Sequence, residues 1–189
     1  MNVYDFDNTI YDGESTFDFY LFCVKHHPRA IKFIFVVTWN LIKYKLCLIS
    51  EEKLMDLAEK YVCSFLKCCP DAEELVCDFW KSHIGKIKSF YTEFRQNDDV
   101  IVSASFGFLI RPILSKLNVK NILCSEIDFS NGKIKCLCYR KNKVNLFKEN
   151  YEPEDVLDVF TDSKNDEALM SLANRDVYIV RKNKIRKLK

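Results

Sequence analysis

Asp5-Phe6-Asp7-Asn8-Thr9 stands at the start of the chain, and three further polar groups follow in order: Ser103, Lys143 and the pair Asp162/Asp166. Each ends a short apolar run or opens a helix, which is where an open α/β sheet collects ligand-binding groups. A carboxylate such as Asp5 can attack phosphorus and hold it as an acyl phosphate, provided a metal ion offsets the repulsion between two anions. A second carboxylate, Asp7, can protonate the leaving oxygen and later deprotonate water. The chemistry this order of groups fits is phosphoryl transfer at one magnesium-dependent site assembled from both ends of the chain.

Taken singly, each group has an ordinary alternative. Two aspartates in a turn are common turn formers. Ser103 precedes Ala104 and a helix, so it is either a phosphate-oxygen ligand beside exposed helix amides, with the backbone at Ala104 contributing, or a plain N-cap. Lys143 supplies a point charge to a transferring phosphoryl group or belongs to a solvated hairpin end, and Lys141 is its nearest rival. Asp162 is a third oxygen ligand for a hard ion, beside Asp5 and the backbone carbonyl of Asp7. Asp166, one turn on, orders water at such an ion or pairs with Lys143.

The elements that must position these groups are legible in outline. Asn2–Phe6 reads as a strand ending in the first aspartates. From Glu14 to Arg95 the pattern is helical: Phe17, Tyr20, Leu21 and Val24 mark one apolar face, Pro28 starts a second helix, and Ser50 caps a third carrying Leu54, Leu57, Ala58, Tyr61 and Val62. Pro70-Asp71 opens a fourth, with Leu75, Val76, Phe79 and Trp80 on one side. Val100-Ile101-Val102 is a run of the buried parallel-strand type, followed by a helix over 108–117 and a strand over 121–124. Asn131-Gly132 signals a hairpin between 127–129 and 133–136. Strands at 156–160 and 177–180 flank a helix over 166–173. The expected fold is α/β, a Rossmann-like three-layer parallel sheet, with 1–13 and 96–189 as core and an all-helical cap at 14–95 between the first two strands.

Composition narrows the class. A chain of 189 residues, 48% hydrophobic, can bury a real core, and a net charge of +2 gives no footprint for nucleic acid. Six of the last nine residues are Lys or Arg, read as a solvated end. Nine cysteines without a CxxC pair read as reduced thiols of a cytoplasmic protein. The run Phe33–Ile42 is too short to span a bilayer and reads as a buried helix. Lys32, Lys43, Lys45, Trp39 and Tyr44 keep peripheral membrane contact open as the less favoured alternative.

Together the motifs resemble the haloacid dehalogenase superfamily of phosphohydrolases, over essentially the whole chain: Asp5-x-Asp7-x-Thr9, Val-Ser103, Lys143-Val144 and Asp162-Ser-x-x-Asp166, with a helical cap between the first two. The cap placement and the segment Ser125–Cys138 are similar to the branch with a C1-type helical cap that contains phosphoserine phosphatases and a phosphatidylglycerophosphate phosphatase. The resemblance implies Asp5 as nucleophile, Asp7 as acid/base, Ser103 and Lys143 as phosphate ligands, and Mg²⁺ held by Asp5, Asp7 and Asp162, with Thr9, Asn165 and Asp166 behind them. It implies hydrolysis of a small-molecule phosphomonoester. A phosphomutase, a phosphatase of a phospholipid head group and a non-catalytic binding protein are the alternatives. Glu14 stands near where phosphoserine-type relatives meet the substrate's amine, and equally reads as an acid of a first helical turn. Three departures bear on loop shape: Thr161 and Arg140 where relatives have glycine, and Asn8, which tolerates unusual backbone angles.

Overall fold

Val3 and Tyr4 form β1, a two-residue strand whose members are both fully buried, and this strand lies at the centre of the sheet. The computed structural model of the protein describes residues 1–46, 48–129, 131–163 and 166–188; the side chains at 41, 44, 45, 51, 52, 54 and 55 lie outside that description. The remaining strands are β2 Val100–Phe106, β3 Asn121–Asp128, β4 Lys133–Cys136, β5 Asp158–Thr161, β6 Asp176–Arg181 and β7 Lys184–Leu188. Their order is β4-β3-β2-β1-β5-β6-β7. The five inner strands pair in parallel, and β4 and β7 close the two edges antiparallel.

Alternation along the strands explains the layers. Tyr4 and Ile101 point into one apolar cluster, shared with Phe79, Trp80, Leu109 and Ile113; Val3, Val100 and Val102 point into the other, with Phe147, Val159 and Leu169. Residues of opposite parity thus meet apolar helices on both faces, the condition that parallel sheets require. The helices after β2 are α6 Gly107–Lys116, α7 Lys141–Asn150 and the short α8 Glu167–Met170.

Among the described residues, five α-helices separate β1 from β2: α1 Ser15–His26, α2 Lys32–Lys45, α3 Glu51–Cys68, α4 Ala72–His83 and α5 Ser89–Phe94. Ser50 caps α3 as expected, its side chain accepting from Lys53 N–H at 3.2 Å. Trp80 of α4 is buried and donates its indole N–H to the Leu109 carbonyl of α6, so α4 is fastened to the sheet's own helical layer.

Four local expectations are corrected. The buried residues of α1 are Ser15, Phe19 and Cys23, while Phe17 and Leu21 are exposed; the helix is apolar nearly all round, so periodicity alone selects the wrong face. Phe33 and Asn40 of α2 are buried, but Phe35 and Trp39 are 71% and 59% exposed, so this helix covers only one face and is not a core helix. The basic tail keeps its described Lys and Arg side chains exposed, as expected, but it is a strand and not a loose end: β7 pairs with β6 from Val177↔Leu188 to Arg181↔Lys184. Lys143 lies in no hairpin end but in the first turn of α7, which opens at Arg140 with a left-handed φ of 49°.

Candidate active site

The chain leaves β1 for β2 and β3 on one side and returns to β5 and β6 on the other, which puts β1 and β5 at the topological switch point. Asp5 follows β1 directly, and its backbone N–H donates to the Phe160 carbonyl of β5. Asp162 follows β5. The loop after Asp5 folds tightly: Ile10 and Tyr11 N–H both donate to the Phe6 carbonyl, and Asn8, at φ 57°, donates to the Gly13 carbonyl. Asparagine is suited to that left-handed conformation.

Around Asp5 the groups converge. Lys143 Nζ lies 2.9 Å from Asp5 Oδ1 and 3.4 Å from Asp166 Oδ2. One oxygen each from Asp5, Asp162 and Asp166 lies within 4.8 Å of the others. An all-oxygen set of this kind suits a hard divalent cation such as Mg²⁺, so the residues present fit the ion. Thr161 has a use here: its hydroxyl donates to Asp166 Oδ2 at 3.2 Å and accepts from Ser163 N–H at 3.3 Å, which steers the Asp162–Ser163 turn. Thr9 Oγ1 is buried and without a hydrogen-bond partner among the described residues.

Asp7 is held apart from this cluster. Its Oδ1 accepts from Ser15 N–H and its Oδ2 from the Ser105 hydroxyl, each at 2.6 Å. Ser105 also lies 3.0 Å from the Ser15 hydroxyl and 2.9 Å from that of Thr16, and its N–H donates to Ser103 Oγ at 3.0 Å. The end of β2 is therefore wired to the start of α1 through Asp7.

Burial sets the electrostatics. It pushes the Asp5 carboxyl up to about 7, against the opposing pull of the Lys143 ammonium. Burial works against the charge on Lys143 as well, but the Asp5 and Asp166 carboxylates outweigh it and hold the ammonium above the usual lysine range. Asp162 is raised, chiefly by burial and secondarily by Asp166. Glu14 is raised by burial and then by nearby Asp7; its Oε1 accepts from Asn8 Nδ2 at 2.6 Å. A cavity with these properties stabilises added positive charge, which is what a metal ion brings.

The structure thus brings Asp5, Lys143, Asp162 and Asp166 together. Ser103 is fully buried at the end of the β2 run, and the Ala104 carbonyl accepts from the Ser125 hydroxyl at 2.7 Å. Lys141 is exposed on the opening turn of α7, whereas Lys143 is buried. Asn165 lies outside the described residues. Two participants escaped sequence reasoning. Ser105 shares a strand face with Ser103, a signal that was there to be used. Lys88, buried and donating from Nζ to the Asn8 carbonyl, sits in a helical stretch that gave no signal.

The chain belongs to the haloacid dehalogenase-like hydrolase family, whose model matches residues 3–171, and is an enzyme of the hydrolase class. No curated protein matches it. Its fold is similar to that of a Bordetella pertussis protein of unknown function, with TM-score 0.68, 15% identity and coverage of 89% of this chain and 84% of that one. A phosphoserine phosphohydrolase-like protein from Francisella tularensis gives TM-score 0.58 at 17% identity, over 94% and 86%. A phosphoserine phosphatase with a phospho-aspartyl intermediate analogue gives TM-score 0.50 at 16% identity, over 90% and 81%.

Proposed function

We propose that this hydrolase is a Mg²⁺-dependent phosphatase that acts on phosphomonoesters through a phosphoryl group carried on Asp5. The observation that carries the reading is the Lys143 ammonium set between Asp5 and Asp166, with an Asp162 oxygen in reach of both carboxylates, at the switch point of the sheet. An ammonium there faces an incoming phosphoryl oxygen, and the three carboxylates are ready for a cation.

In the first half of the reaction an Asp5 carboxylate oxygen attacks phosphorus while the bond to the leaving alcohol breaks. Asp7 gives its proton to that departing oxygen. In the second half Asp7 takes a proton from water as its oxygen attacks the phosphorus on Asp5, which releases phosphate and restores the carboxylate. A bound divalent ion supplies positive charge that lets an anionic nucleophile meet an anionic ester. Asp5, Asp162 and Asp166 would hold it, with the Asp7 backbone carbonyl a further oxygen donor. Ser15 and Ser105 fix the Asp7 carboxylate in place for both proton transfers. Lys143 and the Ser103 hydroxyl bind the phosphoryl oxygens.

In this reading residues 1–13 and 96–189 carry catalysis and 14–95 form a cap of the helical type, placing the chain in the branch of phosphoserine phosphatase-like enzymes. The test is phosphate release from a panel of phosphorylated amino acids, sugars, nucleotides and alcohols, with Mg²⁺ and with excess chelator. Release that requires the metal is the expected result. Undiminished release in chelator contradicts the metal assignment, and release from none contradicts the phosphatase reading.

A further inference from the structure

Next to the serines that hold Asp7 lies a space of quite different character: Thr16, in its wall, is 2.9 Å from the Ser105 hydroxyl that donates to Asp7. A cavity of about 640 Å³ is enclosed by α1, α2, α3 and the β3–β4 hairpin, a volume typical of small-molecule sites. Phe19, Phe33, Leu57, Val62, Phe65 and Ile134 give it walls of carbon. Three of the polar side chains in those walls are bonded within the protein: Tyr20 OH donates to the Ala30 carbonyl, and Asn40 Nδ2 donates to the Val36 carbonyl and to Tyr61 OH. No Lys, Arg or His is among the described lining residues, and the one carboxylate, Glu14, accepts from Asn8.

The cavity wall shares its segments with the polar site. Glu14 and Thr16, which line it, flank Ser15, whose N–H holds Asp7. Phe106 lines it and follows Ser105, the other donor to Asp7. The segments that position the acid/base group are thus the same ones that turn into the cavity wall. Phe17, Val37 and Tyr139 line it too while remaining 48%, 39% and 45% exposed, so it opens to solvent at those side chains.

We propose that this cavity receives the apolar part of the leaving alcohol, so that the substrates are phosphomonoesters of alkyl- or acyl-chain alcohols. The inference rests on the phosphatase reading, and the bond changes and proton transfers are those given for it. Burial of a methylene chain against these walls releases water from both surfaces. A serine leaving group is a poor occupant: its carboxylate needs a cation that the described lining lacks, and its ammonium finds only Glu14, which already accepts from Asn8.

The experiment is a series of n-alkyl phosphates from ethyl to decyl, each kept monomeric, with kcat/KM measured at fixed Mg²⁺. The expected result is a rise of about two- to fourfold per methylene, the upper figure corresponding to about 0.8 kcal/mol per buried CH₂, levelling as the cavity fills. Ala58→Trp, which puts an indole into the space, is expected to lower the decyl-to-ethyl ratio at least tenfold. Binding of decyl against ethyl phosphonate, by calorimetry on the unmodified enzyme, needs no turnover and is expected to favour decyl by more than a hundredfold. Decyl phosphate presented as monomer and then in phosphatidylcholine vesicles identifies the source of the chain, and turnover in either form that exceeds that of ethyl phosphate supports the inference. Ethyl phosphate turned over with no gain along either series overturns it while leaving the phosphatase reading intact. Strong chain-dependent phosphonate binding without hydrolysis of any ester supports the cavity and sinks the phosphatase reading instead.

Discussion

Lys143 Nζ stands 2.9 Å from Asp5 Oδ1 across 138 residues of sequence, and both side chains are buried. In this pair burial raises the acid to about 7, while the Lys143 ammonium pulls it the other way, toward the ionised form. Lys143→Met removes that cation and is expected to lower kcat by roughly 10²–10³. Lys141→Met, at the exposed rival position, is expected to leave kcat within about twofold, as surface changes away from a site do. Steady-state kinetics on the two variants decides between them; a large loss at Lys141 with none at Lys143 contradicts the assignment.

Metal binding is measurable apart from turnover. Mg²⁺ that binds only the folded protein raises its melting temperature in a concentration-dependent way. Asp162→Ala removes one of the three converging oxygens. It should raise the Mg²⁺ concentration needed for half of that stabilisation by roughly tenfold or more, the scale at which even outer-shell partners act. An unchanged titration would count against Asp162 as a ligand.

The hairpin is braced against α3 at a glycine. Gly132 has φ 71°, and a Cβ placed there would lie 2.7 Å from both Cα and Cβ of Cys63, while Glu59 Oε1 accepts from Ile134 N–H at 3.2 Å. Gly132→Ala therefore meets a backbone strain and a close contact that cannot swing away. Urea unfolding is expected to show a loss of about 1–3 kcal/mol, and a neutral result would mean that the hairpin does not rest on α3.

Asp99 provides a pH test away from the Asp5, Asp162 and Asp166 cluster. Its carboxylate accepts from Asn2 N–H at 3.1 Å and Gln96 N–H at 2.6 Å, yet burial raises it from 3.8 to about 6. For an acid raised in the folded state, the stabilising contribution is complete below pH 3.8 and is lost as pH climbs through about 6. The melting temperature of Asp99→Asn relative to wild type should thus move in the variant's favour by several degrees between those limits. A difference that stays constant with pH contradicts the shift.

Parallel strands of buried apolar residues, the Asn131-Gly132 turn and the ordered polar groups were legible because each has a local signature. Val100-Ile101-Val102 has no polar face to confuse its assignment, and Asp5, Lys143, Asp162 and Asp166 sit at element ends, where their types stand out. β7 was not legible because an edge strand is guarded by charge. Lys184, Arg186 and Lys187 hide the pairing, while Ile185 packs against the core. α7 was missed for a related reason: of its ten residues only Val144, Leu146 and Phe147 are apolar and pack against the core, and lysines and asparagines fill most of the rest. The Asp7–Ser15–Ser105 link depends on a contact across 98 residues between Asp7 and Ser105 that no local pattern encodes. The apolar cavity is likewise made by packing several elements together, and the exposed face of α2 reflects which side of that helix the packing uses.

Covalent trapping on Asp5 tests the central claim most directly. The enzyme is mixed with a ³²P-labelled phosphomonoester and Mg²⁺, quenched in acid within milliseconds, and the labelled peptide is identified; a parallel sample is reduced with borohydride to mark the acylated carboxyl. The account predicts an acid-stable, base-labile label on the peptide containing Asp5, and its absence in a folded Asp5→Asn variant that releases no phosphate. A label on another residue, or an Asp5→Asn enzyme that turns over at the wild-type rate, would contradict it.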